Sequence, residues 1–224
     1  MEMTSDVDEI MRLASQVGLS NDSDVQARLT PPGRNLHRAV LRAFLASDGS
    51  PGTTWLREKA SAFHLEPDEA ILALAEADLV HVDGDNITVA YPFSGIPTNH
   101  KVGLGDDRTV WAMCALDALG VLSLIDSDGR VHSSDPDTGA PIRVERSDGQ
   151  WRWEPTTAVL LLAFSDAATS SDEGLCPHID FHVDAKCADE HLRANSGLIG
   201  LVVEQCTAIE LADRVFGGLL HADE

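Results

Sequence analysis

The spacing of apolar residues changes partway along this chain, and that change limits the available folds more than any other feature. From Asn35 to Asp78 apolar side chains recur at three- and four-residue intervals, the period of one helix face. From about residue 100 short β-prone runs take over, set between apolar helical stretches. Helices flanking antiparallel-looking strands predict an α+β fold, with a mixed, mainly antiparallel sheet core. Apolar residues make up 43% of the 224-residue chain, enough for a real core.

Three parts follow from the pattern. Residues 1–33 read as one short amphipathic helix (Ile10, Leu13, Ala14, Val17) and a linker ending in Pro31-Pro32-Gly33. Residues 34–95 read as a winged-helix-like domain. Its first helix carries Leu36, Val40, Leu41, Phe44 and Leu45 and stops at Asp48-Gly49-Ser50-Pro51-Gly52. Thr54 is placed to cap a second helix with Leu56, Ala60 and Phe63, and Pro67 opens a third through Ile71, Leu72, Leu74 and Ala75. Leu79–Val82, the turn Asp83-Gly84-Asp85-Asn86 and Ile87–Tyr91 then form a hairpin. Residues 96–224 form the remaining domain. It is expected to hold a helix from Thr109 to Leu122 and strands over Arg130–His132, Pro141–Glu145, Ala158–Phe164 and His178–Val183. A glycine-punctuated segment, Gly197–Val203, leads to a last helix from Ala208 to Leu220.

Charge narrows the partners. With 16 Lys+Arg against 37 Asp+Glu the net charge is -21, which repels phosphate backbones and anionic membranes. The third helix would be the reader of a winged helix, yet from Glu66 to Asp78 it has five acidic residues and no Lys or Arg. It lacks the cations that bind phosphates, so nucleic acid is not expected as a partner. An acidic winged-helix interaction protein remains the residual reading of that shape. No apolar run approaches the ~20 residues of a membrane span, and Met1–Arg12 has none of the basic start and apolar stretch of a signal peptide. The expected compartment is the cytoplasm.

Four cysteines, Cys114, Cys176, Cys187 and Cys206, contain no CxxC pair, so they read as reduced thiols. On a helix, Cys114 and Asp117 are neighbours on one face. A carboxylate disfavours ionising an adjacent thiol, so the pair makes chemical sense where a soft electrophile takes the sulfur and the carboxyl carries a proton. The plain alternative is a buried Cys114 with Asp117 facing solvent. Further on, Cys176, His178, Asp180 and His182 would share one face of an extended segment, opposite Ile179, Phe181 and Val183. That row is either a metal site or the polar face of a half-buried strand. Cys206 is expected in the core as packing, and Cys187 in a polar segment without a role.

Trp111-Ala112-Met113-Cys114-Ala115-Leu116-Asp117, Thr138-Gly139-Ala140-Pro141, Cys176-Pro177-His178 and the glycine-rich segment with its final helix together resemble the organomercurial (alkylmercury) lyase family, over roughly residues 35–220. Motif by motif, the resemblance implies that Cys114 and Cys176 are the two catalytic, mercury-binding cysteines and Asp117 the catalytic aspartate. It implies protonolysis of a carbon–mercury bond to a hydrocarbon and Hg(II), in the service of mercury detoxification. The implied cofactor requirement is none: Hg(II) is bound as substrate and product, at Cys114, Cys176 and Asp117. The implied partners are the organomercurial substrate and a mercuric reductase or thiol carrier that takes the Hg(II). Two positions depart from the pattern. Ser133–Asp137 stand where relatives carry another cysteine, and Pro177 where some carry a paired one. The competing reading is a diverged homologue that binds or senses a metal through the same thiols without turnover, with His178, Asp180 and His182 in support.

Overall fold

A computed structural model describes residues 7–15, 22–46, 49–105, 107–165 and 176–221. Five helices come first: α1 (Val7–Ser15), α2 (Asp22–Arg28), α3 (Pro31–Ala46), α4 (Thr53–Ala62) and α5 (Pro67–Glu76). Pro31-Pro32-Gly33 does not form a linker. It is the first turn of α3, where a missing N–H costs nothing because those donors have no partner within the helix. The N-cap of α4 is Gly52 rather than Thr54, and no side chain caps it. Pro67 does open α5, with Asp68 and Glu69 in the first turn favoured by the helix dipole. Val17 of the short N-terminal amphipathic stretch and Asp48 of the stop signal after Leu45 lie outside the described residues.

The strands are β1 (Val80–Asp83), β2 (Asn86–Ala90), β3 (Phe93–Ser94), β4 (His100–Leu104), β5 (Thr109–Ala112), β6 (Gly129–Ser134), β7 (Pro141–Ser147), β8 (Gln150–Glu154), β9 (Val159–Ser165), β10 (Ile179–His182) and β11 (Leu198–Val203). Three more helices complete the chain: α6 (Ala115–Ile125), α7 (Ala185–Ala194) and α8 (Gln205–Phe216). The expected hairpin is β1–β2, turning at Gly84, whose φ of 55° suits a residue without a Cβ. It is continuous with the second half of the chain, because β2 pairs with β3 and β3 with β5. The result is one antiparallel sheet in the order β1-β2-β3-β5-β4-β6-β7-β8, and a second in the order β10-β9-β11. The α+β expectation holds.

The helix expected from Thr109 to Leu122 is a strand followed by a helix. Thr109–Ala112 pairs with β4, and α6 starts only after Cys114. Val110 and Trp111 fit a strand as readily as a helix, and a short apolar run does not distinguish the two by period. Every residue of α6 from Ala115 to Leu124 is buried, Asp117 and Ser123 included, so the helix has no solvent-facing side. It packs on β4, β5 and β6 of the large sheet, on β10 of the small one, and on α8. At Gly120 a Cβ would lie 2.2 Å from the Phe216 ring, so α8 approaches α6 only because that position has no side chain. The last helix runs over Gln205–Phe216, starting three residues before Ala208 and ending four before Leu220. No helix among the described residues is long and apolar enough to cross a membrane.

Candidate active site

The site is assembled at the N-terminus of α6. Cys114 is the N-cap, in extended conformation, and its Sγ accepts the backbone N–H of Asp117 at 3.4 Å. A thiol here takes the place of the Ser, Thr or Asp oxygen that usually satisfies this donor. The same turn points the Asp117 side chain back toward the cap, so the two residues are neighbours as their spacing predicted. Cys176 arrives from far along the chain. It begins a 3-10 turn, Cys176–His178, that packs on β9 and leads into β10. Its Sγ donates to Asp117 Oδ2 at 3.7 Å across a separation of 59 residues. The two sulfurs and an Asp117 oxygen all lie within 4.8 Å of one another.

All three side chains are buried, with Cys114 2%, Asp117 3% and Cys176 8% exposed. Burial disfavours charge, and it sets the protonation of the site. It raises Asp117 from 3.8 to about 7, while hydrogen bonds from the Cys114 and Cys176 thiols and from the Cys114 backbone pull it partly back. Burial also pushes the Cys114 thiol well above its ordinary value, helped by the hydrogen bond to Cys176 and the Asp117 charge. For Cys176 the hydrogen bond from Cys114 pulls the value down, but burial and the Asp117 charge outweigh it, so it too is raised. The resting site therefore keeps two neutral thiols around a carboxyl that exchanges its proton near neutrality.

These three groups bring two soft sulfur donors and one carboxyl together in a buried cluster. A model of the alkylmercury lyase family matches residues 93–217, more than half of the sequence. The chain belongs to the alkylmercury lyase family. An alkylmercury lyase of Bacillus cereus is 30% identical over 139 residues, which span 62% of this chain and 62% of that protein. One from Staphylococcus epidermidis is 28% identical over 170 residues, 75% of this chain and 76% of the relative. The fold resembles a crystal structure of the mercury-bound form of MerB2, with a TM-score of 0.73 at 20% identity, covering 90% of this chain and 97% of that one.

Other expectations are corrected by the geometry. Cys176, His178, Asp180 and His182 do not share a strand face, because the chain is still in a 3-10 turn at Cys176–His178 and β10 begins at Ile179. Asp180 instead lies 3.4 Å from buried His100 Nε2, and His182 turns to Asp135. Cys206 is not a core residue; it is exposed at the start of α8. Cys187 is half-buried in the first turn of α7, where its backbone N–H bonds the capping Asp184.

Two residues near the site gave no motif in the sequence. Tyr91, buried just past β2, carries a hydroxyl that favours the ionised form of the Cys176 thiol. Asp22, the first residue of α2, is a buried carboxyl whose Oδ2 makes no hydrogen bond. Burial raises its pKa well above 3.8, and the Asp117 charge adds to the effect. A buried aspartate in an amphipathic helix carries no period of its own, so only the fold reveals it.

Proposed function

We propose that this chain is an organomercurial lyase, in which Cys114 and Cys176 capture mercury and Asp117 carries a proton to the departing carbon. The observation that carries the reading is the convergence of two buried thiols on one carboxyl that titrates near 7. Mercury(II) is soft and prefers sulfur to oxygen or nitrogen. The first thiol displaces the ligand X of R–Hg–X, and its proton leaves as HX. The second thiol passes its proton to Asp117 as its sulfur joins the metal. Two sulfurs raise the electron density on mercury and weaken the Hg–C bond. Asp117 then protonates the carbanion-like carbon, R–H departs, and Hg(II) stays on the two sulfurs. Cys176, already donating to Asp117 Oδ2, is the thiol aimed for the second step.

The reaction needs no organic cofactor, since the metal enters with the substrate. The product goes to a thiol carrier or a mercuric reductase, because only competing thiols remove mercury from a pair of sulfurs. Within this reading residues 96–224 are the catalytic domain, residues 34–95 a winged-helix-like unit that covers it rather than one that binds DNA, and residues 1–33 a leading segment, in a protein of the cytoplasm. The acidic α5, with no basic residue in its last turn, supports that view of the unit.

The experiment separates capture from cleavage. Wild-type protein with methyl- or phenylmercury and excess free thiol releases methane or benzene with equimolar Hg(II). Asp117→Asn retains the organomercurial on its sulfurs and loses about 10²–10⁴ in release rate, the usual contribution of a positioned acid. Folded wild-type protein that binds the organomercurial and yields no hydrocarbon is a thiol-based binding protein, and the lyase reading fails. Undiminished release from Asp117→Asn removes the aspartate from the chemistry and turns attention to His178 as the donor.

A further inference from the structure

A second group of titratable side chains shares no residue with the thiol site. Asp135 and Asp137 lie in the turn between β6 and β7, His182 ends β10, and His191 is in the last turn of α7. An oxygen from each aspartate and a ring nitrogen of His182 lie within 4.8 Å of one another. The Asp135 carboxylate is anchored: Oδ1 accepts the backbone N–H groups of Asp137 at 3.1 Å and Thr138 at 2.9 Å, and Oδ2 accepts that of Val183 at 3.0 Å. His191 Nδ1 is 2.9 Å from Asp137 Oδ2, and its ring centroid is 5.2 Å from that of His182.

His182 is the telling residue. Its side chain is fully buried, yet neither ring nitrogen makes a hydrogen bond. Nδ1 stands 3.5 Å from Asp135 Oδ2, too far for a good bond and on the side facing the carboxylates. Buried polar groups are almost always satisfied, and an imidazole with both nitrogens unfilled calls for a missing partner. Burial lowers the His182 pKa, against the opposing pull of Asp135, so the ring is neutral and keeps the lone pair that a metal needs.

We propose that Asp135, Asp137, His182 and His191 form a binding site for zinc, separate from the thiols that take mercury. Two carboxylates and two imidazoles are a donor set that zinc accepts in tetrahedral geometry, whereas magnesium and calcium favour oxygen throughout and mercury favours sulfur. Zinc ligands at about 2.1 Å stand about 3.4 Å apart in a tetrahedron, so the Asp135, Asp137 and His182 donors close by little more than an ångström, with His191 already against Asp137. Asp137 is exposed and has the freedom to make that movement, while Asp135 and His182 are held. The ion ties the large sheet, through the β6–β7 turn, to β10 of the small sheet and to α7. It therefore fixes the far end of the strand whose entry turn carries Cys176.

The test uses the full chain, stripped with a chelator and titrated with Zn²⁺ against a chromophoric competitor. One zinc per chain is expected. Asp137→Asn alters an exposed side chain and keeps the fold, His191→Gln is checked for folding by its denaturation midpoint, and each weakens zinc about 100-fold or more, since loss of even an outer-shell partner costs 10–100-fold. The Cys114→Ser/Cys176→Ser double variant binds zinc as the parent does. Co²⁺ in place of zinc gives tetrahedral visible bands with no sulfur-to-cobalt charge-transfer band. Failure to bind one equivalent, unchanged affinity in both Asp137→Asn and His191→Gln, or loss of binding in the double cysteine variant overturns the proposal. None of these outcomes depends on organomercurial cleavage.

Discussion

Replacing Asp117 by Asn changes stability in a pH-dependent way that follows from its burial alone. The group titrates at about 7 in the folded protein against an ordinary 3.8, so between those values the folded chain holds a proton that the unfolded chain has lost. Stability from this group is thus full below pH 4, falls as pH rises toward 7, and is flat above that. Each pH unit is worth about 1.36 kcal/mol, or about 4 kcal/mol across the interval. Asparagine is neutral in both states and loses nothing. Asp117→Asn should match the parent near pH 4 and exceed it by about 4 kcal/mol at pH 8. Asp22 shifts the same way, because removing the Asp117 charge relieves part of its own penalty. The assay is urea denaturation of both proteins at half-unit steps from pH 4 to 8, read as the difference in unfolding free energy. A difference that stays flat across that range means Asp117 is an ordinary carboxylate. It would then be too weak a base to take the Cys176 proton, and the relay to carbon would lose its physical basis.

Tyr91→Phe removes a hydroxyl that favours the Cys176 thiolate, so the pH at which Cys176 is alkylated by iodoacetamide moves upward, followed by mass spectrometry of the labelled peptide. Cys187→Ser and Cys206→Ala keep hydrocarbon release close to wild type, because neither thiol joins the cluster of Cys114, Asp117 and Cys176; loss of turnover in a folded variant would show that another thiol is needed. Gly120→Ala drives a Cβ into the Phe216 ring and costs about 1–3 kcal/mol, the usual range for overpacking. Its denaturation midpoint falls, and the second change Phe216→Leu restores part of it if the clash is the cause.

Local chemistry in the sequence determined a good deal of this protein. Pro67 marked a helix start, and Asp83-Gly84-Asp85-Asn86 marked a hairpin turn. The three-residue step from Cys114 to Asp117 put a thiol beside a carboxyl whether Cys114 lies inside a helix, as the apolar run suggested, or caps one, as it does. That is why the pairing survived a misplaced helix boundary. Short apolar runs were less informative: Val110-Trp111 became a strand, and the isolated Cys206 reached the surface, because period alone does not say which face meets the core. Only the tertiary structure brought Cys176 across 59 residues onto Asp117, sealed both from water, and so moved the carboxyl to a value useful at neutral pH. The same holds for Tyr91 and Asp22 beside the site, and for His182, which left its sequence neighbours for Asp135 and His191. Side-chain chemistry is written residue by residue, but desolvation is a property of what surrounds a group. Those surroundings come from strands and helices that meet only when the chain has folded.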